Sequence, residues 1–157
     1  MLRLVIAGAI AGGWWLFTSF DDADRADTGE IVGGGDLSVM TMRAGDCFDD
    51  PDGEVVYDVQ AIPCSEPHDN EVFAIGEFSS DSDVFPGLIA LDDSAYEQCT
   101  GSRFESYVGV GYLDSELGVF TLTPTEDSWD EGDRGYVCAL YRLDLAKLTG
   151  TARASEL

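Results

Sequence analysis

The sequence predicts a small α+β domain, with an antiparallel or mixed sheet, one packed helix and two disulfides, preceded by a single N-terminal transmembrane helix. Four stretches in which apolar, β-branched and aromatic residues recur at short spacing predict the strands. One stretch with helix-like spacing lies between the second and third of them. Four cysteines, all beyond the apolar start of the chain, predict the disulfides.

The N-terminal apolar segment is the first feature of the chain. Residues 4–20 carry no charged side chain and as a helix would span about 26 Å, enough for a thin bilayer. Arg3 precedes the segment and acidic residues follow it, so the positive-inside rule places the N-terminus in the cytoplasm. We expect residues 1–20 to be an uncleaved anchor. A cleaved signal peptide is the alternative, because residues 9–11 resemble a cleavage motif. Gly8 and Gly12 could pack two such helices.

An acidic, glycine-rich stretch follows at residues 21–37. Its composition predicts a flexible linker, which leaves residues 38–152 for one extracytoplasmic domain. The chain of 157 residues has 31 acidic and 8 basic side chains, a net charge of −23. Such a surface repels phosphate backbones and anionic lipid head groups, so nucleic acid is excluded as a partner. The 45% apolar content predicts that the domain folds.

Strands are expected over residues 55–62, 71–78, 117–123 and 136–143. The last is almost entirely apolar or aromatic, which is typical of a strand covered on both faces. A helix is expected over residues 92–107, with Asp92, Asp93 or Ser94 as its N-cap. Gly101 weakens this helix, since a mid-helix glycine costs about 1 kcal/mol relative to alanine.

The four cysteines are Cys47, Cys64, Cys99 and Cys138. An even number outside the cytoplasm favours two disulfides, and of the three pairings we prefer Cys47–Cys64 with Cys99–Cys138. Each loop closed in this way contributes roughly 3 to 4 kcal/mol. The alternative is a zinc site built from Cys64, His68 and two further sulfurs. No CxxC pair accompanies it, and no metal or cofactor is expected.

His68 is the only histidine, and Ser65 and Asp69 flank it. A nucleophile, a base and an orienting acid are therefore nominally present, but neighbours in one turn rarely reach the geometry of a triad. We expect His68 to be structural and assign no catalytic residue.

The segment 126–134 holds five carboxylates around Trp129 and could bind calcium, although their order does not fit an EF-hand. We expect instead that Trp129 docks on the core. Gly132 should supply a turn residue with positive φ, and Arg134 should pair with a carboxylate.

Several short motifs occur in a fixed order: Gly45-Asp46-Cys47-Phe48, then VQAIPCSEPHDNEV at residues 59–72, then Phe104 and Tyr107-Val108-Gly109 after Cys99, and finally Pro124-Thr125, Trp129, Gly132-Asp133-Arg134 and Cys138. In these motifs the chain resembles the septum-formation family, which consists of actinobacterial extracytoplasmic domains, often behind one membrane helix. The resemblance covers about residues 42–150 and includes all four cysteines. It implies a role around division septa and brings no catalytic residue.

Three hypotheses follow. The first is a membrane-tethered, non-enzymatic interaction module that binds a protein partner at the cell envelope. The second is an envelope hydrolase or metal-dependent enzyme that uses His68, and the third is an accessory subunit of a membrane complex. An enzyme should present His68 in a cleft with a converging serine or acid, whereas a module should bury it or surround it with a flat apolar patch. The expected contact surface of the module comprises His68, Asp69, Trp129, Asp133 and Arg134.

Overall fold

A computed structural model describes residues 22–53, 55–79 and 83–157. Within these residues, the strands are β1 (Asp24–Arg25), β2 (Ile31–Gly33), β3 (Gly35–Ser38), β4 (Cys47–Phe48), β5 (Asp58–Ile62), β6 (Asn70–Glu77), β7 (Leu117–Leu122) and β8 (Gly135–Arg142). The helices are α1 (Leu88–Gln98), α2 (Phe104–Val108) and α3 (Glu126–Asp130).

The main sheet has six strands in the order β3-β5-β4-β6-β8-β7, and every neighbouring pair is antiparallel. A second sheet consists of β1 and β2 alone. The predicted α+β class is confirmed. All four predicted strands are present, as β5, β6, β7 and β8, and residues 136–140 of β8 are buried without interruption.

The helical region differs from the expected single helix. It begins earlier, at Leu88, because Gly87 adopts a positive φ of 95° at the N-cap. It is then interrupted by a π-helical turn, Cys99–Arg103, in which Gly101 has φ −87° and ψ −145°. The glycine that weakens the predicted helix therefore breaks it. Asp92, expected as a cap, instead accepts hydrogen bonds from Thr121 and Thr123.

Both predicted disulfides are confirmed. Cys47 is bonded to Cys64 with a Cα–Cα distance of 5.3 Å. Cys99 is bonded to Cys138 with a Cα–Cα distance of 5.6 Å. The second bond fixes the end of α1 to the first face of the main sheet, which we define as the face covered by the helices. A fully buried cluster with Ala95, Phe104 and Leu140 surrounds it.

The second face of the main sheet carries a separate apolar cluster around Phe48, Val72 and Ala139. Residues 22–33, which we call the strap, cover part of it: Ile31 is 6% exposed and packs into the cluster. Arg25 connects the strap to the rest of the domain by donating two 2.6 Å hydrogen bonds to the buried carboxylate of Asp46.

This part of the chain was expected to be a flexible linker. The difference arises because Ile31 is buried against strands distant in sequence and Arg25 is bonded to the buried Asp46. The composition of residues 21–37 alone does not reveal contacts with residues far away in the chain.

No helix among the described residues is long and apolar enough to cross a bilayer. The predicted anchor, residues 1–20, lies outside the described residues.

Candidate functional site

A groove of about 460 Å³ opens on the second face of the main sheet, between the loop after β4 and the turn after β8. Phe120 of β7 and Tyr141 of β8 belong to its floor. Both project from the second face because side chains alternate along a strand. Its remaining lining residues are Asp50, Pro51, Asp69, Asn70, Arg142, Leu145 and Ala146. The groove thus combines aromatic and aliphatic groups with a few polar groups, as in many ligand sites.

The position of Tyr141 depends on a glycine in the neighbouring strand. Tyr141 lies directly opposite Gly118, and a Cβ on Gly118 would come within 2.5 Å of the tyrosine ring. The ring therefore lies against the bare backbone of β7. Phe120, the next second-face residue of β7, packs against Phe48 with ring centroids 6.2 Å apart. The aromatic floor is consequently held by the core beneath it.

One side of the rim is a network of hydrogen bonds. Asn70 donates to the carboxylate of Asp50 (2.8 Å), and the Asp50 amide donates to Asp69 (3.2 Å). Lys147 bridges Asp69 (3.1 Å) and Asp49. Burial raises the pKa of Asp69, but the Asp50 amide and the Lys147 ammonium outweigh it and hold that pKa below its usual value.

The other side of the rim carries Arg142, which donates two 2.9 Å hydrogen bonds to Asp144 and lies 3.7 Å from Glu116. These bonds lower the pKa of the Asp144 carboxyl to about 2. Arg142 and Lys147 are thus each paired with two acids. The rim as a whole remains acidic.

His68 lies below the surface, beside this rim. It is fully buried, and its backbone exchanges two hydrogen bonds with Leu148. Nδ1 donates to the Glu66 carbonyl (2.8 Å), since a carbonyl can only accept. Asp69 turns its carboxylate towards Lys147, and Ser65 is exposed. The three residues considered as a triad therefore point into different environments.

Glu71 is a buried acid that the sequence analysis did not single out. Its carboxylate accepts hydrogen bonds from the Tyr107 hydroxyl (2.6 Å), the Thr151 hydroxyl and the Ala152 amide (2.6 Å). All three donors lie at least 36 residues away in sequence. The only local signal was an acid inside a predicted strand, which is ambiguous without knowledge of its partners.

Trp129 is 1% exposed and docks on the core, as expected. It belongs to α3, whose N-terminus is closed by reciprocal hydrogen bonds between Thr125 and Ser128. Gly132 has the expected positive φ, 97°. Arg134 lies over the indole ring at 3.7 Å and donates to the Trp129 and Asp133 carbonyls. The Asp133 carboxylate accepts from Ser128 (3.1 Å) and from the Gly135 amide (2.9 Å).

The residues expected to form one contact surface fall into two regions. His68 and Asp69 precede the start of β6, where Asn70 pairs with Tyr141. The Trp129 segment adjoins the far end, where Glu77 pairs with Gly135. Seven residues of strand separate these pairs, which corresponds to about 23 Å. His68 and Trp129 are moreover interior, so of the expected surface only Asp69 lines the groove.

The comparisons with known proteins agree with this chain's motifs. The profile of the family described as Septum formation matches residues 30–155, most of the chain. Searches of curated proteins and of solved structures find no match. The match begins at the end of the strap and covers the whole main sheet, both disulfides and the groove. The chain therefore belongs to the septum-formation family.

Proposed function

We propose that this protein is a membrane-tethered, extracytoplasmic, non-enzymatic binding module in septum formation, and that its groove holds a basic segment of a protein partner. The observation that carries the proposal is the groove of about 460 Å³, with Phe120 and Tyr141 in its floor and carboxylates on its rim. Aromatic side chains in a preformed depression supply most of the binding energy in protein recognition.

The charge of the groove defines the class of partner. Asp50 and Asp69 line it, and the cations beside it are already neutralised by acids. The whole chain carries a net charge of −23. A lysine or arginine of the partner gains attraction from the rim, and an apolar neighbour in the same segment would contact the aromatic floor. An acidic segment would be repelled.

The burial of His68 supports binding rather than catalysis. A general base must reach the proton of a bound substrate. His68 is fully buried and donates through Nδ1 to a backbone carbonyl. Of the polar groups that line the groove, Asp50, Asp69 and Asn70 are hydrogen-bonded in one network, and Arg142 is bonded to Asp144. A hydrolase built on His68 would need the loop around residues 64–68 to open.

The tether and the compartment rest on separate observations. All four cysteines are oxidised in pairs, which is typical of proteins outside the reducing cytoplasm. The uncharged segment 4–20 has the length of a membrane span, with its basic flank at Arg3. A tethered domain would hold its groove close to the membrane on the outer side.

The groove is tested by selecting a random peptide library against the full chain in detergent. Enriched peptides should combine Lys or Arg with an aromatic or aliphatic residue, and their affinity should fall as salt is added. Tyr141→Ser and Asp50→Asn should each weaken binding about tenfold or more, the loss of one good contact. Tyr57→Ser is the matched control, because Tyr57 is 72% exposed and lies outside the groove.

Enrichment of acidic peptides, or binding that survives Tyr141→Ser, would refute the groove as the site.

The tether is tested independently by non-reducing peptide mapping of protein extracted from membranes. An intact N-terminal peptide together with both disulfide-linked peptides would support it. A chain that begins after residue 20 and is released from the membrane would instead indicate a cleaved signal peptide.

A further inference from the structure

Three potential metal ligands that do not line the groove meet inside the domain. The Cys47 sulfur, a ring nitrogen of His68 and a Glu71 carboxylate oxygen all lie within 4.8 Å of one another. All three residues are completely buried. Sulfur, imidazole and carboxylate are the ligand types that Zn²⁺ and similar divalent transition metals take in proteins.

His68 is oriented as a metal-binding histidine is. Its Nδ1–H donates to the Glu66 carbonyl at 2.8 Å, which fixes the ring and leaves the lone pair on Nε2. Nε2 is buried and has no hydrogen-bond partner among the described residues. A buried polar atom left without a partner costs roughly 1–3 kcal/mol. The fold therefore tolerates an unsatisfied ring nitrogen on a histidine that lies beside a cysteine sulfur and a carboxylate.

Glu71 is held in place in a comparable way. Tyr107, Thr151 and the Ala152 amide donate to its two oxygens, so the carboxylate is fixed before any ligand arrives. Among the hydrogen bonds of the described residues, Oε2 accepts one, from the Ala152 amide (2.6 Å), which leaves that oxygen a further lone pair. Hydrogen bonds of this kind orient carboxylate ligands in metal sites.

The Cys47 sulfur is committed to Cys64 in the oxidised protein. We propose that reduction of the Cys47–Cys64 disulfide creates a binding site for one divalent transition-metal ion of the Zn²⁺ class. Its ligands are the Cys47 thiolate, His68 Nε2 and a Glu71 oxygen, with water or Cys64 in the fourth position.

The chemistry balances with an external dithiol as the reductant. Its thiolate attacks the sulfur of Cys64, which is only half-buried, and Cys47 leaves as a thiolate. The second thiol of the reductant then displaces Cys64, so that two electrons reduce the protein and the reductant becomes a disulfide. Metal binding keeps Cys47 deprotonated and releases its proton to solvent.

Charge and distance both fit a divalent ion. A 2+ ion with one thiolate, one carboxylate and a neutral imidazole forms a site with no net charge, which suits a buried position. Ligand atoms around tetrahedral zinc are about 3.4–3.6 Å apart. The three ligand atoms lie no more than 4.8 Å apart, so contraction to this spacing requires a shift of at most about 1 Å.

The experiment uses the full chain in detergent and two variants that break the same disulfide. Cys64→Ser retains the ligand Cys47, whereas Cys47→Ser removes it, and both keep the Cys99–Cys138 bond. Each is titrated with Co²⁺ without oxygen, and the thiolate-to-cobalt charge-transfer band is recorded. We expect Cys64→Ser to bind one Co²⁺ that Zn²⁺ displaces. Cys47→Ser should show no such band, and adding His68→Gln to Cys64→Ser should weaken binding more than about tenfold.

Wild-type chain reduced with a phosphine is the second measurement, in case Cys64→Ser folds poorly, and near-ultraviolet circular dichroism reports folding in every sample. Equal binding by Cys64→Ser and Cys47→Ser would overturn the proposal, as would binding unaffected by His68→Gln. Absence of the band from both Cys64→Ser and the reduced wild-type chain, folded or not, would overturn it as well.

Discussion

Tyr112, which lies between α2 and β7, connects this segment to the helices. Its hydroxyl shares a 2.7 Å hydrogen bond with Tyr96 of α1, and its ring meets Phe104 edge-on at 5.3 Å. Burial, and then the bond to Tyr96, raise the pKa of Tyr112 to about 12. A phenol whose pKa is raised on folding stabilises the fold fully below pH 10, its ordinary pKa. This stabilisation is lost as the pH rises towards 12.

Tyr112→Phe should therefore cost about 1 kcal/mol at pH 7, the worth of one hydrogen bond. The deficit relative to wild type should shrink above pH 10, because the wild-type protein loses this contribution and the variant has none to lose. Urea unfolding at pH 7 and at pH 11 measures the two values. Tyr57→Phe is the control, since Tyr57 is 72% exposed. A deficit that stays constant or grows above pH 10 would contradict the assignment.

The environment of a residue could be predicted from the sequence when it is formed by residues nearby in the chain. Gly132 and Trp129 were predicted correctly because a turn and a docked aromatic can be inferred from their immediate neighbours. His68 was expected at a contact surface but is buried, since Leu148, eighty residues later, pairs with its backbone. Glu71 was missed for the same reason. The groove residues Phe120 and Tyr141 looked like ordinary strand residues.

Two glycine–tyrosine pairs across neighbouring strands shape the two faces of the main sheet. On the first face, a Cβ on Gly76 would come within 2.2 Å of the ring of Tyr136, which is 1% exposed. On the second face, Gly118 accommodates Tyr141. Gly76→Ala should cost about 1–3 kcal/mol, since the buried ring has no free space. Gly118→Ala should cost less, because Tyr141 borders the open groove and can swing outwards.

Chemical denaturation of both variants checks this order. Gly111→Ala provides the control, because its φ is −66° and the nearest atom to an added Cβ is 3.8 Å away. Alanine there should be neutral or slightly stabilising. A larger loss of stability for Gly118→Ala than for Gly76→Ala would show that Tyr141 is fixed rigidly in the groove floor.

Strands were predicted correctly where the strand's own residues carry a clear apolar and aromatic pattern. All four expected strands exist, and β8 is found within one residue of its predicted bounds. β1, β2, β3 and β4 were missed, because each is at most four residues long, and the first three lie in a composition typical of linkers. From the sequence, Gly101 was expected to weaken the helix, but not to break it. The π-helical turn there begins at the disulfide-bonded Cys99 and ends beside the buried Phe104, contacts that a local pattern does not reveal.

At the scale of the molecule, the domain consists of two apolar clusters on opposite faces of one sheet. The helices cover the first face, and the strap contributes to covering the second. Because the strap is folded, residues 22–33 belong to the domain and are not part of a flexible linker.

The last prediction concerns the strap. It tests whether residues 22–33 are part of the folded domain or a flexible linker. Ile31 is 6% exposed and packs into the second-face cluster, whereas its neighbour Val32 is 59% exposed. Ile31→Ala should destabilise the domain by about 2 kcal/mol or more, the usual cost of removing a buried isoleucine side chain. Val32→Ala should change the free energy of unfolding by less than about 0.5 kcal/mol. Urea titration of the two variants provides the comparison, and equal, negligible effects would mean that the strap does not contribute to the folded core.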